Sequence, residues 1–169
     1  MATQAVYWHE GMFLRPQHFQ LWERHARELM EREGKWNLHY NWGLRRVEVD
    51  LDALGNYRLV VRDLAARLRD GTLVEVPAMG TLPVLDLKEA FGRENTLTVY
   101  LAVPVFQSAR ANVTTGQATN GARYIIDTQD LEDENTGLNP QPIEVRRLNL
   151  KLLLSGQDHS GYEVLPIAR

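Results

Sequence analysis

The sequence predicts a mainly β domain, a β-sandwich with one amphipathic helix packed against it from the N-terminal side. Three observations predict it. Only one stretch, residues 16–33, carries apolar side chains at helical spacing. After Trp42-Gly43 the period falls to two, and many short apolar runs follow with turn residues between them. Asp70-Gly71 stands between two such runs, which is a strong hairpin signal. Many short strands after a single helix argue a sandwich or barrel. With 169 residues the chain fits one domain, with an N-terminal arm and helix over 1–35 and the sandwich over 36–169.

The helix comes first. Phe19, Trp22, Ala26, Leu29 and Met30 share one face. Pro16 suits the first turn, where its missing N–H costs nothing. Gly34 suits the position just past the end. Glu23–Arg27 and Glu28–Arg32 are i,i+4 pairs of favourable orientation, worth roughly 0.2–0.5 kcal/mol each. Such a helix is expected to lie its apolar face on the sandwich and leave its charges in water.

The strands follow. Residues 47–51 alternate, and Tyr57, Leu59 and Val61 alternate after a Gly55-Asn56 turn. Residues 64–68 and 72–76 flank the Asp70-Gly71 turn. Further strands are expected at 83–87, 97–106, 123–128, 143–154 and 162–167. Residues 107–122 are rich in Ser, Thr, Asn and Gly without a period, and 130–142 are acidic and then Asn/Pro-rich, so both read as long loops. The chain stops inside a strand-like run at 162–169, as expected of a piece of a longer polypeptide.

Composition narrows the function. The formal net charge of −3 disfavours nucleic acid or an anionic membrane surface as main partner. There are no cysteines, so neither a disulfide framework nor a thiolate metal site is expected. The longest apolar run, 97–106, is too short to span a bilayer as a helix. Residues 1–10 lack a basic segment followed by an apolar one, so no signal peptide is expected and the chain reads as cytosolic.

No chemistry-bearing constellation emerges. His18 and His25 are seven apart, about 10 Å along the helix, whereas a metal pair on one helix wants a spacing of four. His9, His39 and His159 have no ligand spacing. Asp130, Glu132, Asp133 and Glu134 lack the alternation and glycine of a calcium loop. No phosphate-binding Gly-rich loop and no nucleophile elbow is present. Neither catalysis, nor a metal, nor a cofactor is expected. Tyr124 with Asp127 leaves one rival reading open, a carbohydrate- or receptor-binding sandwich of phage type.

The opening run is the richest region. It places Tyr7, Trp8, Met12, Phe13, Leu14 and Phe19 close together, broken by Gly11 and Pro16. Aromatics and Met at a terminus either anchor it to the core or face another protein. Trp8, Glu10, Met12, Phe13, Leu14, Pro16, His18 and Phe19 are the candidate partner-binding residues.

The run from Trp8 through Gln20, Trp-His-Glu-Gly-Met-Phe-Leu-Arg-Pro-Gln-His-Phe-Gln, closely resembles the opening signature of the TssK (ImpJ/VasE) family. Trp42-Gly43, Asp70-Gly71-Thr72, Val99-Tyr100-Leu101-Ala102-Val103-Pro104 and the closing Leu165-Pro166-Ile167-Ala168-Arg169 also look alike. The family often has Pro where Arg69 stands here, a difference expected to alter only turn rigidity. The resemblance implies a cytoplasmic type VI secretion baseplate protein. It implies a β-sandwich "shoulder", similar to that of siphophage receptor-binding proteins, which docks on the TssF–TssG wedge. It also implies a homotrimer in the full-length protein. Contact with the inner-membrane TssL/TssM complex would run through a head domain absent from these residues.

Overall fold

A computed structural model describes residues 3–108, 110–115 and 121–169. The helix α1 spans Pro16–Asn37. Strands β1 (Gly43–Val49), β3 (Val61–Arg67) and β4 (Leu73–Val76) form one antiparallel sheet in the order β1-β3-β4. A short helix α2 (Leu51–Gly55) and strand β2 (Arg58–Leu59) lie between β1 and β3. Strand β5 (Leu85–Asp86) pairs with β2, and helix α3 (Lys88–Phe91) follows. Strands β6 (Val99–Pro104), β10 (Lys151–Leu154) and β11 (Tyr162–Ala168) make a second antiparallel sheet in the order β10-β6-β11. Strands β7 (Val113–Thr114), β8 (Tyr124–Leu131) and β9 (Gln141–Leu148) make a third, in which β7 runs parallel to β8.

The core lies between the first two sheets. Period-two alternation aims Leu64, Val74 and Val76 inward from β3 and β4. They meet Val99, Leu101 and Val103 of β6, with Leu152, Leu165 and Ile167 from its neighbours, in one cluster. β6 is the middle strand of its sheet and is buried along almost its whole length. The fold is therefore mainly β with two packed sheets and an N-terminal helix, as the sequence indicates.

Several boundaries differ from the expectation, each for a local reason. The helix runs through Gly34 to Asn37, and its last turn closes when the Leu38 amide donates to the Gly34 carbonyl at 3.0 Å. Its start is fixed by His18, whose Nδ1 accepts from the Arg15 amide at 3.0 Å. The alternation over 47–51 stops at Val49, because the Asp50 carboxylate accepts from the Asp52 and Ala53 amides and caps α2. The expected strand over 143–154 is two strands in different sheets. The chain turns at Asn149, a buried side chain whose amide donates to the Ala122 carbonyl at 2.8 Å. Residues 130–142 are mostly the end of a β-hairpin, since β8 and β9 pair from Tyr124↔Leu148 out to Leu131↔Gln141. In the stretch 107–122, β7 occupies two residues, and the expectation of a loop at 109 and 116–120 lies outside the described residues.

Leu101→Ala, at a site with no exposed surface, is expected to lower the unfolding free energy by about 2–5 kcal/mol. Leu138→Ala, on the outer end of the hairpin, is expected to change it by less than about 0.5 kcal/mol. Urea denaturation of both variants checks this.

Candidate interaction surface

The 22-residue helix α1 has no buried residue. The sequence leads one to expect its apolar face on the sandwich; the structure places a charged face there instead. Arg27 Nη1 donates to the Tyr124 hydroxyl at 2.9 Å. Glu23 pairs with Arg146 of β9. Arg24 lies 5.0 Å over the Phe106 ring. Glu31 packs on the β3–β4 turn at Gly71, whose φ of 85° is a glycine conformation and whose missing Cβ leaves room for that side chain. The reason is spacing. Residues 23, 27 and 31 recur every four positions and form their own stripe, beside the apolar one. The body offers this stripe arginines and a tyrosine, not an apolar groove.

The platform under α1 is centred on Arg123, which is 4% exposed. Its guanidinium donates to the Pro104 carbonyl at 2.7 Å, to the Asp70 carboxylate at 2.8 Å and to the Thr72 hydroxyl at 2.5 Å. Burial alone would raise the pKa of Asp70. Hydrogen bonds from Thr72 and the Arg123 charge outweigh it and hold that carboxyl below its ordinary value. Burial likewise pushes the Tyr124 phenol up, and the Arg27 hydrogen bond and charge reverse it, leaving a net lowering. Glu31 moves the other way, raised by burial and by Asp70 against the opposing charge of Lys35.

With its charged stripe inward, α1 turns its apolar stripe to the solvent. Phe19, Trp22, Leu29 and Met30 are all exposed, Trp22 by 56%. The arm runs antiparallel along the helix. The Thr3 amide and hydroxyl donate to Glu28, and the His25 ring N–H donates to the Thr3 carbonyl. At the other end Trp8 sits 6.3 Å from His18 and 6.5 Å from Phe19, ring to ring. The arm is thus fastened to α1 and not to the sandwich core. Of the candidate residues, Trp8, Leu14 and Phe19 are about half exposed and Phe13 is 80% exposed. Glu10 and Pro16 are also exposed, while Met12 and His18 are half-buried. Trp8, His18 and Phe19 come together; Phe13 stands apart, beyond Gly11 in the bend before the helix.

All four tryptophans, Trp8, Trp22, Trp36 and Trp42, are exposed. The core, by contrast, is Leu, Val, Ile and Ala, with Tyr124 the one buried aromatic ring among the described residues. That ring is covered by Arg146 at 4.8 Å and its hydroxyl is taken by Arg27, so it offers no open face to stack a sugar. No group of three or more His, Cys, Asp or Glu gathers among the described residues. No helix among them is long and apolar enough to cross a membrane. The Arg123 platform was not among the sequence candidates. Its one signal was a charge set within the apolar run Ala122-Arg123-Tyr124-Ile125-Ile126.

The family model described as bacterial type VI secretion, VC_A0110, EvfL, ImpJ, VasE matches residues 18–169. The chain is 31% identical to the type VI secretion system baseplate component TssK1 of Pseudomonas aeruginosa, over 99% of this chain and 38% of that protein. It superimposes on a chain of the TssK-TssF-TssG baseplate subcomplex seen by cryo-electron microscopy with a TM-score of 0.88 and 26% identity, covering 99% of this chain and 56% of the other. A crystal structure of TssK shares the fold with a TM-score of 0.86 at 24% identity, over 98% of this chain and 37% of the other. The chain spans well under two thirds of each.

Asp70→Asn keeps the shape of the platform and removes its charge. At neutral pH it is expected to cost about 1–3 kcal/mol of stability. A lowered folded pKa gives stability that is complete above the unfolded value, about 3.9, and is lost as the pH falls through the folded one. The stability of the variant is therefore expected to converge on that of the parent below about pH 3.9, as read by urea midpoints across an acid series.

Proposed function

Because this chain belongs to the bacterial type VI secretion family that includes ImpJ and VasE, we propose that it is the shoulder of a TssK-type baseplate protein. It docks that protein onto the TssF–TssG wedge through the arm and the exposed stripe of α1. Its work is binding, not catalysis, and its place is the cytoplasmic side of the inner membrane.

One observation carries this reading. Tyr7, Trp8, Phe13, Phe19, Trp22 and Trp36 are all exposed on the arm and α1, while the core is aliphatic apart from Tyr124. Aromatic rings bury large areas at low entropic cost, and Trp, Tyr and Met are enriched in interface cores. Trp8, Phe19 and Trp22 are exposed together on one helix–arm unit, and contiguous exposed apolar surface marks interaction sites. The likeness to a chain of a TssK-TssF-TssG subcomplex supports the choice of partner.

Trp8→Ala, Phe13→Ala and Trp22→Ser all change exposed side chains. Their melting temperatures are expected to stay near that of the parent, while capture of a TssF–TssG wedge weakens by at least about tenfold for the central residues. Full capture by all three folded variants would sink the reading and leave the stripe as mere surface.

A further inference from the structure

The seat of α1 is made of side-chain tips. None of its residues is buried, and no strand runs closely along it. Glu23 meets Arg146, Arg27 meets the Tyr124 hydroxyl, Arg24 lies over the Phe106 ring and Glu31 rests against Gly71. Exposed ion pairs of this kind contribute little to stability and are screened by salt. Glu31 works against the seat, since its half-buried carboxylate stands near Asp70 and the like charges repel. Beneath the helix lies a cleft of about 710 Å³, walled by Glu23, Arg27, Met30 and Glu31 on one side and by the loop after β4 and by β9 on the other. Elements with so few buried apolar contacts open at low free energy while the core stays closed.

The helix holds its own shape. His18 closes its start on the Arg15 amide at 3.0 Å, the Leu38 amide closes its end on the Gly34 carbonyl at 3.0 Å, and Glu28 pairs with Arg32 one turn on at 3.2 Å. The arm is tied to it, because Thr3 bonds Glu28 and His25, and Trp8 lies beside His18 and Phe19. A helix of 22 residues is a lever about 33 Å long. The joint comes just after it. Trp42 is held to the body by Arg69, whose guanidinium lies 4.3 Å over its ring. Between Leu38 and Trp42, residues His39, Tyr40 and Asn41 lie outside helix and strand, and His39 and Tyr40 are exposed. Gly43 follows at the start of β1, with a φ of 140° and open space where a Cβ would stand. A further contact, Arg67 against Gly34, sits beside the joint, where rotation moves it least.

We propose that α1 and its arm are a hinged strap. It swings as one body about residues 39–41, between a seated position latched at Glu23 and Arg27 and a lifted one, while the sandwich stays folded. Rotation at the joint breaks the contacts farthest from it, which are the charged ones, and leaves Trp42 under Arg69. The arm and the aromatic stripe keep their places on the helix throughout, since their bonds are to α1 itself. Joined to a wedge by its stripe, such a strap lets the body tilt without breaking the contact. That use rests on the docking reading, whereas the hinge is a property of this chain alone.

The chain has no cysteine, so a pair of spin labels can be placed without interference. Labels at Gln20→Cys and Glu48→Cys, both exposed positions, read the strap against β1. Labels at Glu48→Cys and Gln157→Cys read the body against itself. Pulsed dipolar spectroscopy of the chain alone is expected to show a seated distance at about 20 mM salt, and at about 500 mM a second distance whose share is at least about threefold larger. Glu23→Gln combined with Arg27→Gln is expected to raise that share as much at low salt. The body distance and the helix content by circular dichroism are expected to stay unchanged. Trp22→Ser is expected to leave the shares as they are, because the stripe takes no part in the seat. One distance under every condition overturns the proposal. So does a second distance that comes with loss of helix or a changed body distance, which is unfolding, and so does a response to Trp22→Ser. No wedge protein is present in these measurements, so their outcome is separate from that of the capture experiment.

Discussion

The guanidinium of Arg123 is the fastening on which the arrangement of parts depends. A cation buried to this depth costs several kcal/mol unless its donors are answered. Here they are answered by the end of β6 through Pro104 and by the β3–β4 turn through Asp70 and Thr72. Two pieces of chain, one from each of two sheets, thus meet at one side chain that stands at the start of a third. The neighbouring residue, Tyr124, then holds α1 through Arg27. The position of the helix, and with it the direction its aromatic stripe faces, descends from this one ion pair and its hydrogen bonds.

The molecule divides its apolar residues by shape. Branched aliphatics fill the space between the sheets, where they pack tightly with few rotamers. Tryptophans and phenylalanines lie outside, and Phe19, Trp22 and Trp36 among them sit on a helix that is joined to the body by charges. A helix that needed its apolar stripe for attachment would have none left to present. Attachment through Glu23, Arg27 and Glu31 leaves the stripe free, and the surface character of the chain follows from that substitution of one force for another.

Much of this was legible in the sequence, and what was not has a physical cause. Period two located most of the strands, and Asp70-Gly71 located the hairpin, because alternation and turn chemistry are local. The aromatic run from Trp8 to Phe19 pointed to the arm, and the family signature lies in the same residues. The break at Asn149 was hidden, since one apolar run serves two sheets and only a tertiary hydrogen bond to Ala122 divides it. Which face of α1 meets the body was hidden too. Two stripes lie side by side on that helix, and the choice between them is made by Arg146 and Tyr124, more than ninety residues away.

That separation governs the order in which the chain can assemble. The bonds that seat α1 join residues 97 and 123 positions apart. Their partners exist as a surface only after β8 and β9 have paired and Arg123 has been enclosed. Closing so long a loop before those strands form would spend chain entropy for no contact in return. Within these residues α1 leaves the ribosome before the strands yet is seated after them, and until then its aromatic stripe is a sticky, unanchored segment. The short bonds from Thr3 to Glu28 and His25 need no such wait. They fold the arm back along the nascent helix early, and cover part of it while the sheets are still being made.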